Sequence, residues 1–203
     1  MSLQLYALFV AASALLIATP GPNVALIVGT SLKHGARAGL MTVAGVNFGL
    51  VLQLAAVAAG LSWIVELFAQ HFDIIRYVGA AYLIVLGLQQ LLAKPPAEGK
   101  HPALSGRRAF RRGFTVAFAN PKTLVFQAAF LPQFLSGGGD SGYELWLLAA
   151  TFAAIAAVGD ALWAFFAARA RDAVSSRVQR LADKISGGIL LGGAALLLAV
   201  RRD

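Results

Sequence analysis

"LLIATPGPNVALIVG", residues 15–29, decides how this chain is read. The apolar runs on both sides read as helix, yet Pro20, Gly21, Pro22 and Asn23 interrupt them. A proline inside a helix costs about 3 kcal/mol, because it removes a donor and clashes with the preceding turn. Here the two prolines free carbonyls one turn earlier, near Leu16 and Ala18. Gly21 lets the chain change direction and lets another group approach closely. Pro22 suits the first turn of a new half-helix, with Asn23 beside its exposed amides. Irregular backbone survives in a bilayer only where protein or a water-filled cavity surrounds it. The stretch therefore predicts a discontinuous helix, offering carbonyls to a cation and a half-helix N-terminus to an anion. An α-amino acid carries both charges at one carbon, and such a break matches them. The plainer reading, a kink packed against neighbouring helices, stays open at this point.

Composition places that helix in a membrane. Of the 203 residues 59% are hydrophobic and 13% charged, with mean hydropathy +0.73. Soluble domains are nearer about 45–50% apolar and about 25% charged. Six segments are long and apolar enough to span, at roughly 20 residues each. They cover residues 3–31, 39–64, 74–93, 113–135, 144–168 and 185–200. The predicted fold is an all-α integral membrane protein of six transmembrane helices, forming one transmembrane domain over 1–203. "KPPAEGKHPALSGRRAFRR", residues 94–112, is the long polar linker between halves at about 1–93 and 113–203. The charged stretch 169–184 reads as a short surface helix, and the short last span can extend back into 181–184. With no Lys or Arg before Lys33, the first segment reads as a transmembrane helix rather than a cleaved leader.

The net charge of +8 sits between the apolar segments, so it speaks for loop orientation and not for nucleic acid. Thirteen of the seventeen Lys and Arg fall in the first, third and fifth connections. They are Lys33 and Arg37, then six between Lys94 and Arg112, then five between Arg169 and Lys184. Arg76, Arg201 and Arg202 lie on the other side, and Lys122 lies inside a span. The positive-inside rule then puts the basic connections in the cytoplasm and both termini outside. Three spans per half is an odd number, so related halves must be inverted. The first span of each half carries a polar proline motif, "TPGPN" and "ANPKT", which predicts a 3+3 inverted repeat with helices one and four broken.

Several polar residues share a depth with the first break. Asn120 and Pro121 are a preferred N-cap and a preferred first helical residue, and Lys122 adds a full charge at that positive helix end. Asp160 is the one acid well inside a span, and an intramembrane ionisable group is a functional candidate by default. Asn47, in "GVNFG", lies at a similar depth. The predicted substrate-binding residues are Pro20, Gly21, Pro22, Asn23, Asn47, Asn120, Pro121 and Lys122, with Asp160 as the proton-coupling carboxylate. Each has a structural alternative. Asn47 can serve an interhelical hydrogen bond beside the Gly45/Gly49 packing face. Asp160 and Lys122 can form a static ion pair. Gly79, Ala80, Gly87, Gly188 and Gly192 read as close-packing positions, and Trp63, Tyr143 and Trp146 as interfacial anchors. Gln53, Gln127 and Gln133 either line a path or bond a neighbour.

These residues resemble a known family. "TPGPN", "GAAYLIVLG" (79–87) and "ANPKTLVFQAAFLPQF" (119–134) look like the lysine exporter / homoserine-threonine exporter family, LysE/RhtB, over nearly the whole chain. The resemblance implies a multi-pass bacterial inner-membrane exporter of amino acids or related small metabolites. It further implies proton exchange as the driving force and a homodimer as an assembly. No acidic cluster is present to hold a cationic side chain, which favours small neutral substrates. No cofactor or metal is expected. The chain has no cysteine, and His34, His71 and His101 all fall in predicted connections. An exporter of a metal or other small cation on a similar scaffold is the alternative, and it would need more ligands in the membrane. An enzyme would need an in-membrane His or paired carboxylates, which the sequence lacks.

The absence of native cysteine makes the orientation directly testable. Ser2→Cys should react with an impermeant thiol reagent in intact cells and Ser105→Cys should not. The reverse pattern would invert the topology.

Overall fold

The computed structural model describes residues 1–58, 72–92, 104–120, 122–123, 126–127, 131–135, 141–171, 173 and 176–199. Seven α-helices lie in these residues: α1 Leu3–Ala18, α2 Pro22–His34, α3 Ala36–Ala58, α4 Phe72–Leu91, α5 Gly106–Phe118, α6 Ser141–Ala170 and α7 Ser176–Ala199. One 3-10 turn, Leu131–Phe134, stands between α5 and α6. The fold is all-α. Two helices cross a bilayer by their own length and apolarity, Ala36–Ala58 and Gly142–Ala170, and α1 with α2 makes a third, bent by 50° at the break. At 1.5 Å per residue, α3 is about 35 Å long, against about 30 Å of hydrocarbon. Its outward residues and those of its neighbours are apolar, as at Leu15, Phe48, Val78, Val158 and Phe166. Tyr143 and Trp146 are exposed near the start of α6, while Trp63 lies outside the described residues.

Glycine sets how closely the helices cross. A Cβ on Gly45 would lie 2.0 Å from the Phe110 carbonyl oxygen, and one on Gly113 would lie 2.2 Å from that of Thr42. The backbones of α3 and α5 therefore touch, with Gly49 extending the contact to Ala117. The α4–α7 crossing works the same way through Gly87 and Gly187. Gly188 and Gly192, expected as packing positions, meet nothing within 4 Å, and Gly187 and Gly193 take that role. The inward stripe of α7 runs through Leu190 and Ala194, which puts Gly188 and Gly192 on the opposite phase. Gly35, at φ 82, is the left-handed residue that ends α2 and lets α3 begin at the next position.

Two apolar clusters flank the middle of the bundle. One is aromatic, with Phe9 against Phe134 at 5.2 Å between ring centroids and Phe126 stacked on Phe152 at 4.5 Å. The other is aliphatic, with Leu26, Leu83, Leu86, Val116 and Leu190.

Two helix starts differ from the sequence reading. α5 begins at Gly106, inside the expected linker, and α7 at Ser176, inside the expected surface helix. In α5 the buried face runs through Ala109, Gly113, Val116 and Ala117, so Arg107, Arg108, Arg111 and Arg112 share its outer turns without ending it. Charge ends a hydropathy window, whereas a helix needs only one apolar stripe.

Gly113→Ala should lower stability by about 2 kcal/mol, because two backbones must part. Gly188→Ala, with open space around it, should leave stability unchanged or raise it by less than about 1 kcal/mol. Thermal unfolding of the purified protein in detergent reads both.

Candidate substrate site at the broken helices

The first break follows from the missing amides of Pro20 and Pro22. Helix α1 closes with the Thr19 N–H donating to the Leu15 carbonyl at 3.0 Å, and the Thr19 hydroxyl donates to the same oxygen at 2.8 Å. Gly21 is extended, Pro22 opens α2, and the first bond of the new helix runs from Ala25 N to Gly21 O at 2.8 Å. A second break follows α5. Asn120 N donates to Ala117 O at 3.3 Å, and Asn120 Oδ1 accepts from Lys122 N at 3.1 Å. Thr123 Oγ1 donates to Asn120 O at 3.0 Å. Asn120 thus caps a new turn, as its residue type favours. Pro121, predicted with it, lies outside the described residues.

The breaks meet each other. Lys122 Nζ donates to the Thr19 carbonyl oxygen. A Cβ on Gly21 would sit 3.2 Å from Lys122 Cδ, so the glycine leaves room for the lysine stem. Across from them Asp160 is 3% exposed and accepts from Asn47 Nδ2 at 3.2 Å. The same Asn47 nitrogen donates to Val43 O at 3.1 Å. Lys122 and Asp160 do not form an ion pair within 4 Å. The buried oxygens Asn23 Oδ1 and Asn47 Oδ1 have no hydrogen-bond partner. Leaving such an acceptor unmet costs about 1–3 kcal/mol, so both are ready to take a donor.

Gly21, Asn23, Asn120, Lys122, Thr123 and Asp160 line one cavity of about 20 Å³. That holds about one water. The chain is therefore closed around its polar centre, and a metabolite needs helix movement to enter. Pro20 is exposed, and the Pro22 ring packs on α7 at Gly193, so neither lines the cavity. Thr123 and the Thr19 carbonyl belong to the centre and were not among the predicted residues. Thr19 was legible in principle, since the break removes the Asn23 amide its carbonyl would meet in an unbroken helix. Gln127 Nε2 donates to Gln53 Oε1 at 3.3 Å, both buried, and Gln133 is exposed. Among the described residues no three His, Cys, Asp or Glu side chains gather. No described cluster favours the small-cation alternative.

A membrane-embedded bundle with a broken helix around a closed polar centre is the architecture of a transporter. The model of the LysE type translocator family matches residues 14–201, and the chain belongs to that family. It is a transporter of the bacterial inner membrane, not an enzyme. It is similar to an uncharacterized membrane protein, YrhP, of Bacillus subtilis, at 28% identity over 91% of this chain and 93% of that protein. It is also similar to the homoserine/homoserine lactone efflux protein of Salmonella typhimurium, at 34% identity over 66% of each chain. The leucine efflux protein of Klebsiella pneumoniae is 27% identical over 74% of this chain and 73% of that one. No solved structure matches the chain.

The glutamine pair separates structure from transport. Gln53→Leu or Gln127→Leu alone should destabilise by about 1–3 kcal/mol, since each strands a buried amide, and the double substitution should cost much less. A double variant that is stable but transports nothing would instead make the pair part of the path.

Proposed function

We propose that the chain exports small neutral amino acids or close derivatives, coupled to protons, by moving two inverted three-helix halves about the closed cavity. The carrying observation is a carboxylate, Asp160, buried in the membrane in one cavity with Lys122 and two helix breaks. Homoserine and leucine, among the substrates named for its relatives, fit that class. In this reading Lys122 and the half-helix amides hold the substrate carboxylate. Asn23, Asn47 and the freed carbonyls face the ammonium, and Asp160 carries the proton. Gly21, Asn120 and the prolines shape the backbone.

The contact pattern supports inverted halves of six spans, with α1–α2, α3 and α4 exchanging with the second break region, α6 and α7. Under that exchange α3 on α5 becomes α6 on α1, and both contacts exist. The α3–α6 and α4–α7 contacts map onto themselves. Asn47 stands eleven residues from the start of α3 and Asp160 ten from the end of α6, so both lie roughly 15 Å in. The bond from the Met1 amino group to Glu144 at 2.6 Å supports placing Met1 and the start of α6 on the same side, and the charge asymmetry makes that side the outer one in this reading. A homodimer belongs to the same proposal.

Energetics allow the coupling. A proton crossing 100 mV supplies about 2.3 kcal/mol, and a tenfold pH difference about 1.4 more. Together they sustain a gradient of several hundred-fold for a net-neutral substrate. In reconstituted vesicles with an imposed pH gradient, Asp160→Asn should abolish uphill transport and keep substrate exchange. Lys122→Ala should weaken substrate affinity about tenfold or more. Normal uphill transport by Asp160→Asn would make Asp160 a structural partner of Asn47 only.

A further inference from the structure

A second cavity lies along the same half-helix α2, about 290 Å³ in volume. Thr30, Lys33, Gln90, Arg108, Arg112 and Asp183 are among its lining residues. Small-molecule sites begin near about 300 Å³, so this cavity has room for a metabolite where the central one has room for a water. Its chemistry is divided by sign. Arg108 and Arg112 stand four residues apart on α5 and so share a face. Among the described residues neither has a carboxylate partner within 4 Å. The negative side comes from other helices. Asp183 of α7 lies 3.7 Å from Lys33 Nζ of α2. Gln90 Oε1 of α4 is buried without a hydrogen-bond partner, and a Cβ on Gly29 would stand 3.3 Å from it.

The cavity and the central site lie along the same half-helix. Leu26 lines the second cavity and is 2% exposed, sealed against Leu83, Leu86, Val116 and Leu190. Asn23 and Val24, less than a turn away on the same helix, line the first. The opposite side of the central site is closed by the much deeper aromatic cluster of Phe9, Phe126, Phe134 and Phe152.

We infer that the second cavity is a capture site for a zwitterionic amino acid on the cytoplasmic side, separated from the broken-helix site by the Leu26 seal. Arg108 and Arg112 take the α-carboxylate, for which the planar guanidinium is the fitting donor. Asp183 and Gln90 Oε1 take the α-ammonium, which replaces Lys33 at Asp183. The inference rests on the proposed function and deepens it. It puts first recognition at the basic end of α5, ahead of the closed centre.

The test uses the full chain in phosphatidylcholine vesicles, with radiolabelled leucine or homoserine supplied at the face bearing residue 105. Arg108→Gln combined with Arg112→Gln should raise KM about tenfold, with a much smaller fall in the rate at saturation. Arg108→Lys combined with Arg112→Lys should recover part of the loss. Leucinamide, which lacks the carboxylate, should compete equally with the unsubstituted protein and the glutamine variant. Unchanged KM in the glutamine variant, beside normal transport by the unsubstituted protein, overturns the capture site and leaves the proposed function standing. An effect that appears only when anionic lipid is added gives the arginines to headgroups and also overturns it. Failure of the unsubstituted protein to move either probe overturns both readings.

Discussion

A carbonyl set free inside a bilayer has to be met by something, and at Thr19 it is met by the ammonium of Lys122. Much of the centre depends on that one contact. Two prolines and an extended glycine break the first helix, and the break would be unaffordable in lipid if its oxygens faced hydrocarbon. The cation that satisfies it comes from the second break, so each interruption is stabilised by the other. Gly21 is part of the arrangement because a side chain there would press on the lysine stem. In the proposed mechanism a substrate carboxylate that draws Lys122 away would leave the Thr19 carbonyl open to the substrate's own ammonium. The two charges of an amino acid can thus replace an existing internal pair without stranding either group.

Bringing these groups together demands very close helices. The α3–α5 and α4–α7 crossings have glycine where any side chain would collide with backbone, and the centre inherits its small volume from them. The Asn47–Asp160 bond lies on the α3–α6 contact that the same compaction allows. Lipid offers little hydrophobic drive between helices, so close packing and interhelical hydrogen bonds must hold the bundle. This chain uses both within a few residues of each other, in "GVNFG" and "VGDAL".

How much of this is legible in the sequence depends on whether a feature is local. The break at residues 20–23 is legible because proline and glycine act on their own backbone. The cap at Asn120 is legible for the same reason. The depth of Asn47 and Asp160 follows from counting residues along helices. The starts of α5 and α7 are not legible from hydropathy, because arginine on one face does not interrupt an apolar stripe on another. The partner of Lys122 is not legible either. A backbone carbonyl has no residue identity, and which carbonyl a lysine reaches depends on how two distant breaks are packed. For the same reason the sequence leaves Gln53 and Gln127 undecided until the structure pairs them.

The two seals around the closed centre are unequal, and that bears on direction. Toward the basic helix ends stands the aliphatic cluster of Leu26, Leu83, Leu86, Val116 and Leu190, with Leu26 and Leu86 also lining the large charged cavity. On the other side stand stacked and edge-on aromatic rings drawn from α1, α6 and the segment after the second break. Aromatic pairs add about 0.5–1.5 kcal/mol each beyond their buried area, so that side is the harder to open. In the proposed orientation the easy side is the cytoplasm, where an exporter must load. In that proposed orientation the aromatic side keeps the outward path shut in this state. In the proposed mechanism opening outward draws on something more than substrate arrival, and the buried carboxylate at the centre is where a proton would contribute it.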